Sequence, residues 1–325
     1  MRRMLSSIVF TLALVCPWVA SAQQPPANCS ITSQNLWVRD QLNVYYYWYQ
    51  HLPSNVNPAS YPSPEAYLDA VRYRPIDNAY SYITSAAAND AFFSESQFIG
   101  FGFGQQTTST EIRVLQVYDG SPALEAGLSR GDRITHVNGQ SVESMVLNGT
   151  IGSAFGPTEV GVVAEIRFVK PTGAEQSARM VKRLVTIPTV SLTHVVDVAG
   201  RKVGYLFFRN FVRPSTSALN EAFAALKAAG ATELVLDLRY NGGGLVDVAV
   251  QLASLIGGTR TSGQVMINWE HNDRIGPIAN RVTRFNETPE QTLNLQRLVV
   301  ITTRASASAS ELIINSLRPY MPVDV

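Results

Sequence analysis

Cysteine is nearly missing from this chain: its 325 residues hold two, Cys16 and Cys29. A disulfide framework is therefore excluded as the basis of the fold. Histidine is scarce as well, with four residues, and no His, Cys or carboxylate group shows metal-ligand spacing, so neither a metal nor a cofactor is expected. No run reaches 18 apolar residues, which leaves no membrane-spanning helix to predict. Charge of one sign is not in excess: a net +1 gives no electrostatic reason to expect nucleic acid as a partner. Internal repeats and low-complexity tracts are lacking, and no lysine follows Lys227.

What is there begins with a leader. Met1, Arg2 and Arg3 precede an apolar run over residues 8–20, and Ala20, Ser21 and Ala22 form an A-x-A cleavage site. Residues 1–22 read as a secretory signal peptide, which predicts an exported protein of the periplasm or cell envelope. Bulky Leu14 and Val15 before Cys16 argue against a lipid anchor there. Cleavage would leave Cys29 as a lone thiol in an oxidising compartment.

Residues 23–97 read as a helical region. An aromatic-rich amphipathic helix is predicted over residues 36–52, and its tyrosine cluster at 45–49 is read as core packing. A second helix opens with Ser63 as its cap and Pro64 at its first position, with Ala66, Tyr67, Ala70 and Val71 at helical spacing. Residues 98–190 change to a β-rich pattern. Alternation over 112–117 leads to a short helix ended by Gly127, and Asn138–Gly139 predicts a hairpin turn. Glycines 100 and 102 leave backbone N–H groups open to a carboxylate, and the strand after them offers an edge to an extended peptide. A dinucleotide loop is excluded, because the sixth-position glycine and a βαβ unit are both missing. Residues 191–325 read as α/β, with strands at 203–208 and 234–238 and helices at 215–229 and 245–255. Residues 272–294 are polar and read as an exposed loop or lid.

Two stretches carry candidate chemistry. Residues 298–315 (LVVITTRASASASELIIN) pass from a strand through tiny residues into a helix. A hydroxyl on that turn stands beside the electropositive start of a helix, a setting that suits attack on a carbonyl. A plain serine N-cap, at Ser308 or Ser310, explains the same residues. Residues 237–244 (DLRYNGGG) leave the C-terminal end of a strand, where open α/β sheets place their sites. The phosphate-cradle alternative fails, since no Gly-Lys-Ser/Thr follows.

In that order, the run SPALEAGLSRGDRITHVNG, the DLRYNGGG loop and the ASASASELI turn resemble the C-terminal processing (tail-specific) serine peptidases. The run SPALEAGLSRGDRITHVNG by itself resembles a PDZ domain. The resemblance covers residues 98–325. It implies a ClpP/crotonase-like α/β core with a mixed sheet, and a PDZ domain that takes polypeptide C-termini as partners through Gly100, Phe101, Gly102 and Phe103. It further implies a Ser–Lys dyad with Ser308 as nucleophile and an oxyanion hole from the N–H groups of Ala309 and Gly243. Ser306 and Ser310 become turn and capping residues. The family's general-base lysine lies in a Gly-Lys turn after the next strand, past Val325. The expectation is therefore a protease core truncated at its C-terminal end and an inactive 325-residue chain. Among the histidines, His51, His136, His194 and His271, only His271 borders the polar stretch, and no G-x-S-x-G elbow exists to favour a Ser–His pair. The resemblance supports an exported endopeptidase. The missing base supports a non-catalytic PDZ peptide-binding protein or inactive pseudopeptidase.

Overall fold

The computed structural model describes residues 26, 28–78 and 80–325; the leader expected at residues 1–22 lies outside them. The chain folds as two units, one of residues up to 84 together with 267–283, the other of 85–266 together with 284–325.

In the first unit, α1 spans Ile31–Tyr45 and α2 spans Pro64–Val71. Ser30 and Ser63 cap them, each side chain accepting the N–H three residues on, and Pro64 occupies a first-turn position where no N–H is needed. Val38, Tyr67, Leu68 and Val71 meet between the two helices. The expected helix over 36–52 instead starts at Ile31 and stops at Tyr45. Tyr46 turns away because its hydroxyl donates to Asp77 Oδ2 at 2.9 Å and accepts Tyr73 N–H at 2.9 Å. The tyrosine cluster is only partly core: Tyr46 is buried while Tyr45 and Tyr47 are exposed.

The second unit opens with α3, Ala86–Glu95. Strand β1 (Gln97–Gly100) is followed by β2 (Phe103–Thr107), β3 (Ile112–Val117), the short helix α4 (Pro122–Glu125), β4 (Arg133–Val137) and β5 (Gln140–Ser141). Helix α5 (Val142–Leu147), β6 (Val163–Val169), β7 (Glu175–Val181) and β8 (Arg183–Thr186) complete the β-rich part. Its sheet runs β2-β3-β4-β6-β7, all neighbours antiparallel, so β2 is an edge strand. Alternate residues such as Ile112, Val114, Ile134, Ile166 and Phe168 fill the core. Asn138 and Gly139 both take positive φ, 49° and 81°, as the predicted hairpin turn requires. β1 and β8 pair apart from that sheet as an antiparallel ribbon.

The α/β part adds β9 (Val190–Val198), β10 (Arg201–Phe208), α6 (Ser215–Ala228), β11 (Glu233–Asp237) and α7 (Val246–Gly257). After them come β12 (Val265–Trp269), α8 (Gly276–Ala279), β13 (Arg281–Arg284), β14 (Leu298–Ile301), α9 (Ala309–Leu317) and β15 (Val323–Asp324). The sheet order is β15-β14-β11-β10-β9, parallel except where β9 meets β10. This is a mixed α/β sheet of the expected class. Gly204, Leu206, Phe208, Leu234, Leu236, Leu298 and Val300 are buried on one face. Gly204 is needed there, because a Cβ would stand 2.9 Å from Leu226 of α6.

The stretch expected as a polar loop over 272–294 is more ordered than its composition indicates. It contains α8 and β13, and β13 pairs with β12. Side chains hold the turn together: Trp269 Nε1–H donates to Thr283 Oγ1 at 2.9 Å, and Asn280 Oδ1 accepts His271 N–H at 2.8 Å.

Candidate active site

Parallel pairing of β11 with β14, with Asp237 opposite Ile301, delivers the two motif loops to one edge of the sheet. Small polar side chains then join them. Ser306 Oγ donates to Leu238 O at 2.7 Å and accepts Thr303 N–H at 3.0 Å. Thr303 Oγ1 accepts Tyr240 N–H at 3.2 Å, and Ser310 Oγ donates to Asn241 O at 2.9 Å. Of the three alternating serines, two are thus committed to the scaffold. The third, Ser308, is exposed.

Ser308 is also the N-cap of α9 and has φ 55°, ψ −117°. A non-glycine residue at positive φ costs on the order of 1–3 kcal/mol and is kept where surrounding contacts enforce it. Here the enforcing contact is Glu311 Oε2, which accepts Ser308 N–H at 2.7 Å. Ala309 is buried as the first residue of α9, and its N–H is one of the helix-start donors with no intrahelical acceptor. Gly243, at φ 96°, lies against this turn: a Cβ there would sit 2.7 Å from Ala309 N and 2.8 Å from Ser308 Cβ. Asn241, fully buried, braces the glycine loop by donating Nδ2–H to Phe208 O at 3.0 Å and accepting Gly243 N–H at 2.9 Å. A Cβ on Gly244 would meet Phe211 O at 2.1 Å, so that position admits only glycine. The arrangement offers a hydroxyl on a strained turn beside backbone donors, which can stabilise charge developing on a bound carbonyl.

At the root of the loop Asp237 is fully buried. Arg239 grips it with Nε at 3.0 and 2.9 Å and Nη2 at 2.6 Å; Arg239 N–H adds a bond at 2.9 Å, and Tyr205 O–H donates to Oδ2. Burial pushes the Asp237 carboxyl up, but the hydrogen bonds from Arg239 and Tyr205 outweigh it and hold the group below its ordinary range. The same pair holds the Arg239 guanidinium above its ordinary value.

Among the described residues no lysine or histidine bonds to Ser308. Lys170 donates to Asp132 Oδ2 at 2.9 Å, Lys182 to Gly156 O and Pro157 O, and Lys227 to Glu290 O. Lys202 lies near the start of β10, at the end of the sheet opposite the loops. His136 contacts Thr135 Oγ1, His194 sits opposite Tyr205, His51 stacks on Tyr73, and His271 Nδ1 lies 3.0 Å from Asn280 Oδ1.

The glycine-rich residues at the start of the β-rich part sit where β1 passes into edge strand β2. Gly102 has φ 85°, and a Cβ there would collide with Ser121 at 2.1 Å. Phe101 O accepts Ala123 N–H at 2.8 Å and Gly102 O accepts Tyr118 N–H at 2.9 Å, while β2 pairs with β3 alone, so its other edge is open. Phe101 is buried in the β-rich core, Phe103 is half-buried beside it, and Phe98 packs elsewhere, edge-on to Tyr118 at 5.8 Å. Sequence reasoning missed Phe155, whose ring meets both Phe101 and Phe103. It also missed Asn210, which joins the β1–β8 ribbon to the α/β part through Ser96 at 2.9 Å. Both act through partners distant in sequence, so no local pattern marks them.

Three family models match the chain: Peptidase S41 N-terminal domain over residues 33–82, PDZ domain over 113–146 and Peptidase family S41 over 202–322. A probable CtpA-like serine protease of Staphylococcus aureus is 27% identical over 226 residues, 69% of this chain and 42% of that protein. A carboxy-terminal-processing protease of Bartonella bacilliformis is 26% identical over 253 residues, 75% of this chain and 54% of that protein. The chain thus spans about half the length of these relatives. Among solved structures, a protein assigned as an S41 protease from Bacteroides fragilis superposes with a TM-score of 0.66 at 27% identity, covering 93% of this chain and 78% of the other. The photosystem II D1 C-terminal processing protease shares the fold, with a TM-score of 0.52 at 21% identity over 90% of this chain and 79% of its own.

Proposed function

The chain belongs to peptidase family S41, and from that premise we propose an exported serine endopeptidase that binds a polypeptide C-terminus in its PDZ domain and cleaves the bound chain. The observation that carries this reading is Ser308, exposed at φ 55° on the start of α9 and backed by Gly243. In this reading Ser308 Oγ attacks the carbonyl carbon of the scissile bond, and Ala309 N–H stabilises the oxyanion together with an N–H of the glycine loop, assigned to Gly243. Gly243 N–H is held by Asn241 Oδ1 in this arrangement, so its part requires that bond to be shared or released. The C-terminal carboxylate of the substrate is received by the N–H groups of the Gly100–Phe103 segment, with the peptide added to the edge of β2. Export follows from the leader at residues 1–22.

The family mechanism uses a lysine to take the Ser308 proton, and none of the four lysines stands at Ser308. That observation favours a second reading for the 325-residue polypeptide itself: a peptide-binding protein with an unactivated nucleophile. A fluorophosphonate probe separates the two. With no base present, labelling of Ser308 should rise in proportion to hydroxide, about tenfold per pH unit, with no plateau. A plateau between pH 7 and 9, abolished in Ser308→Ala, would show that a base already acts on this serine and would overturn the second reading.

A further inference from the structure

A groove of about 720 Å³ runs along α1 in the first unit, within the size range of small-molecule sites. Helix α1 gives it one wall. Gln34, Trp37, Val38, Gln41 and Leu42 recur there at steps of three and four residues, a single stripe along about 12 Å of helix. Val38 and Leu68 of α2 are buried at its base, with Leu42 and Ile83 packed against them. Tyr80 and Tyr82, 73% and 71% exposed, stand at the rim. The segment ahead of α1 adds Pro26, Asn28 and Cys29 to the lining. Two bonds hold that segment: Gln34 Nε2–H donates to Cys29 O at 2.9 Å, and Asn28 Oδ1 accepts Ser30 N–H at 2.9 Å.

None of the described residues that line the groove is charged. Both helices carry charge, but off the lining: Arg39 pairs with Asp40 on α1, and Asp69 of α2 pairs with Arg72 and Arg74. An ionised ligand would be desolvated in the groove without a counter-ion, which is costly. A polypeptide fits poorly for a related reason. Each peptide unit brings an N–H and a C=O that need partners, and two of the walls are helices whose backbone groups are already bonded. An unbranched hydrocarbon chain makes no such demand, and every methylene it buries is stabilising. Tyrosine and tryptophan at the rim suit that ligand, since their rings take apolar contacts while their polar tips stay in water. The expected leader, residues 1–22, ends a few residues before Pro26, which brings the groove to a membrane during export.

We propose that this groove is a binding site for the acyl chain of an uncharged or zwitterionic lipid. It shares no residue with the Ser308 turn or the β2 edge and does not depend on peptidase activity. Cys29 lies in the lining with its thiol exposed, so its alkylation reports whether the groove is occupied.

The test is alkylation of Cys29 by iodoacetamide in the full chain, read by mass spectrometry of the Cys29 peptide, with monomeric lysophosphatidylcholines from octanoyl to tetradecanoyl. The lipids should slow alkylation, and their apparent affinity should rise about fourfold for each added methylene until the groove is filled. Gln41→Glu puts a charge into the lining and should weaken lipid binding roughly tenfold or more. Tyr82→Ser, at the exposed rim, should weaken it a few-fold with the melting temperature unchanged. If Gln41→Glu does not fold, the chain-length series on the wild type and the Tyr82→Ser variant still decide. Absence of protection, protection that does not grow with chain length, or equal affinity in the wild type and the folded variants overturns the inference. Equal protection by an unacylated apolar peptide overturns it too. Sedimentation with phosphatidylcholine vesicles then identifies the source of the chain, and both of its outcomes support the site once lysolipids protect Cys29: protein that pellets takes the chain from a bilayer, and protein that stays in solution takes free lipid.

Discussion

Gly243 and Ser308 are packed so closely that the glycine hydrogen is the only substituent the turn admits: a Cβ would lie 2.8 Å from Ser308 Cβ and 2.7 Å from Ala307 O. The clash is with backbone, which cannot swing aside as a flexible side chain can. Gly243→Ala should therefore move the Ser308 turn and cost about 1–3 kcal/mol, since φ 96° is itself strained for alanine. Thermal unfolding and fluorophosphonate labelling at fixed pH should both fall. Unchanged labelling in a stable Gly243→Ala protein would mean that the glycine loop does not shape the nucleophile.

Asp237 and Arg239 make a second, electrostatic prediction. Asp237 has a folded pKa below its unfolded value, so its stabilising contribution is present above about pH 4 and is lost as pH falls through the folded pKa. Arg239→Met leaves a fully buried carboxylate with Tyr205 as its one side-chain partner and should cost about 3–5 kcal/mol near neutral pH, the scale for breaking a buried pair. The double change Asp237→Asn with Arg239→Met should recover part of that loss. Melting curves from pH 3 to 8 decide the matter: an Arg239→Met deficit that stays constant down to pH 3 rules this account out.

Much of this architecture was legible because its signals are local. Ser63 before Pro64, Asn138 before Gly139 and the alternation over 112–117 each fix a structure within a few residues. The two motif loops were legible as sequence, yet their meeting depends on parallel pairing of β11 with β14, whose partners, such as Val235 and Val299, are 64 positions apart in the chain. The polar stretch over 272–294 misled because α8 and β13 are held by side-chain bonds from Trp269 and Asn280 rather than by an apolar period. Phe98 belongs to the same glycine-spaced aromatic run as Phe101 and Phe103. Its ring turns instead to Tyr118 and Val185, because β1 pairs with β8 outside the main sheet. Strand β9 and helix α3 escaped notice, the first because its exposed face, with Leu192, Val196 and Val198, is more apolar than the opposite one, with Ser191, Thr193 and Val195, the second because AAANDAFFSE has no clear apolar face.

That exposed face of β9 carries a consequence for behaviour in solution. Leu192, Val196 and Val198 are 52%, 41% and 54% exposed on a strand at the edge of the five-stranded sheet. An apolar edge strand is a template for pairing with another chain. The protein should self-associate in a concentration-dependent way, and Leu192→Lys with Val196→Lys should suppress it without changing the fold. Light scattering over a concentration series tests this, and equal scattering from both proteins would point to another surface.

Asn210 is where the β1–β8 ribbon meets the loop that leads to the glycine motif. It is 4% exposed, its Nδ2–H donates to Ser96 Oγ at 2.9 Å, and Ser96 Oγ in turn donates to Ile187 O at 2.7 Å. Phe211, the next residue, donates its N–H to Gly243 O at 3.1 Å and accepts Leu245 N–H at 2.7 Å. Asn210→Ala should cost about 1–3 kcal/mol, the scale for unpairing a buried polar group. Asn210→Asp should be worse, and its cost should depend on pH in the direction opposite to Asp237. Burial without a cation raises the folded pKa of the new carboxyl above its unfolded value, so stability is retained below about pH 4 and lost as pH rises through the folded pKa. Melting temperatures at pH 4 and pH 8 read this directly: Asn210→Asp should approach the wild type at the lower pH and fall well short at the higher. An equal deficit at both would mean that the aspartate finds solvent, and that the ribbon is not clamped here.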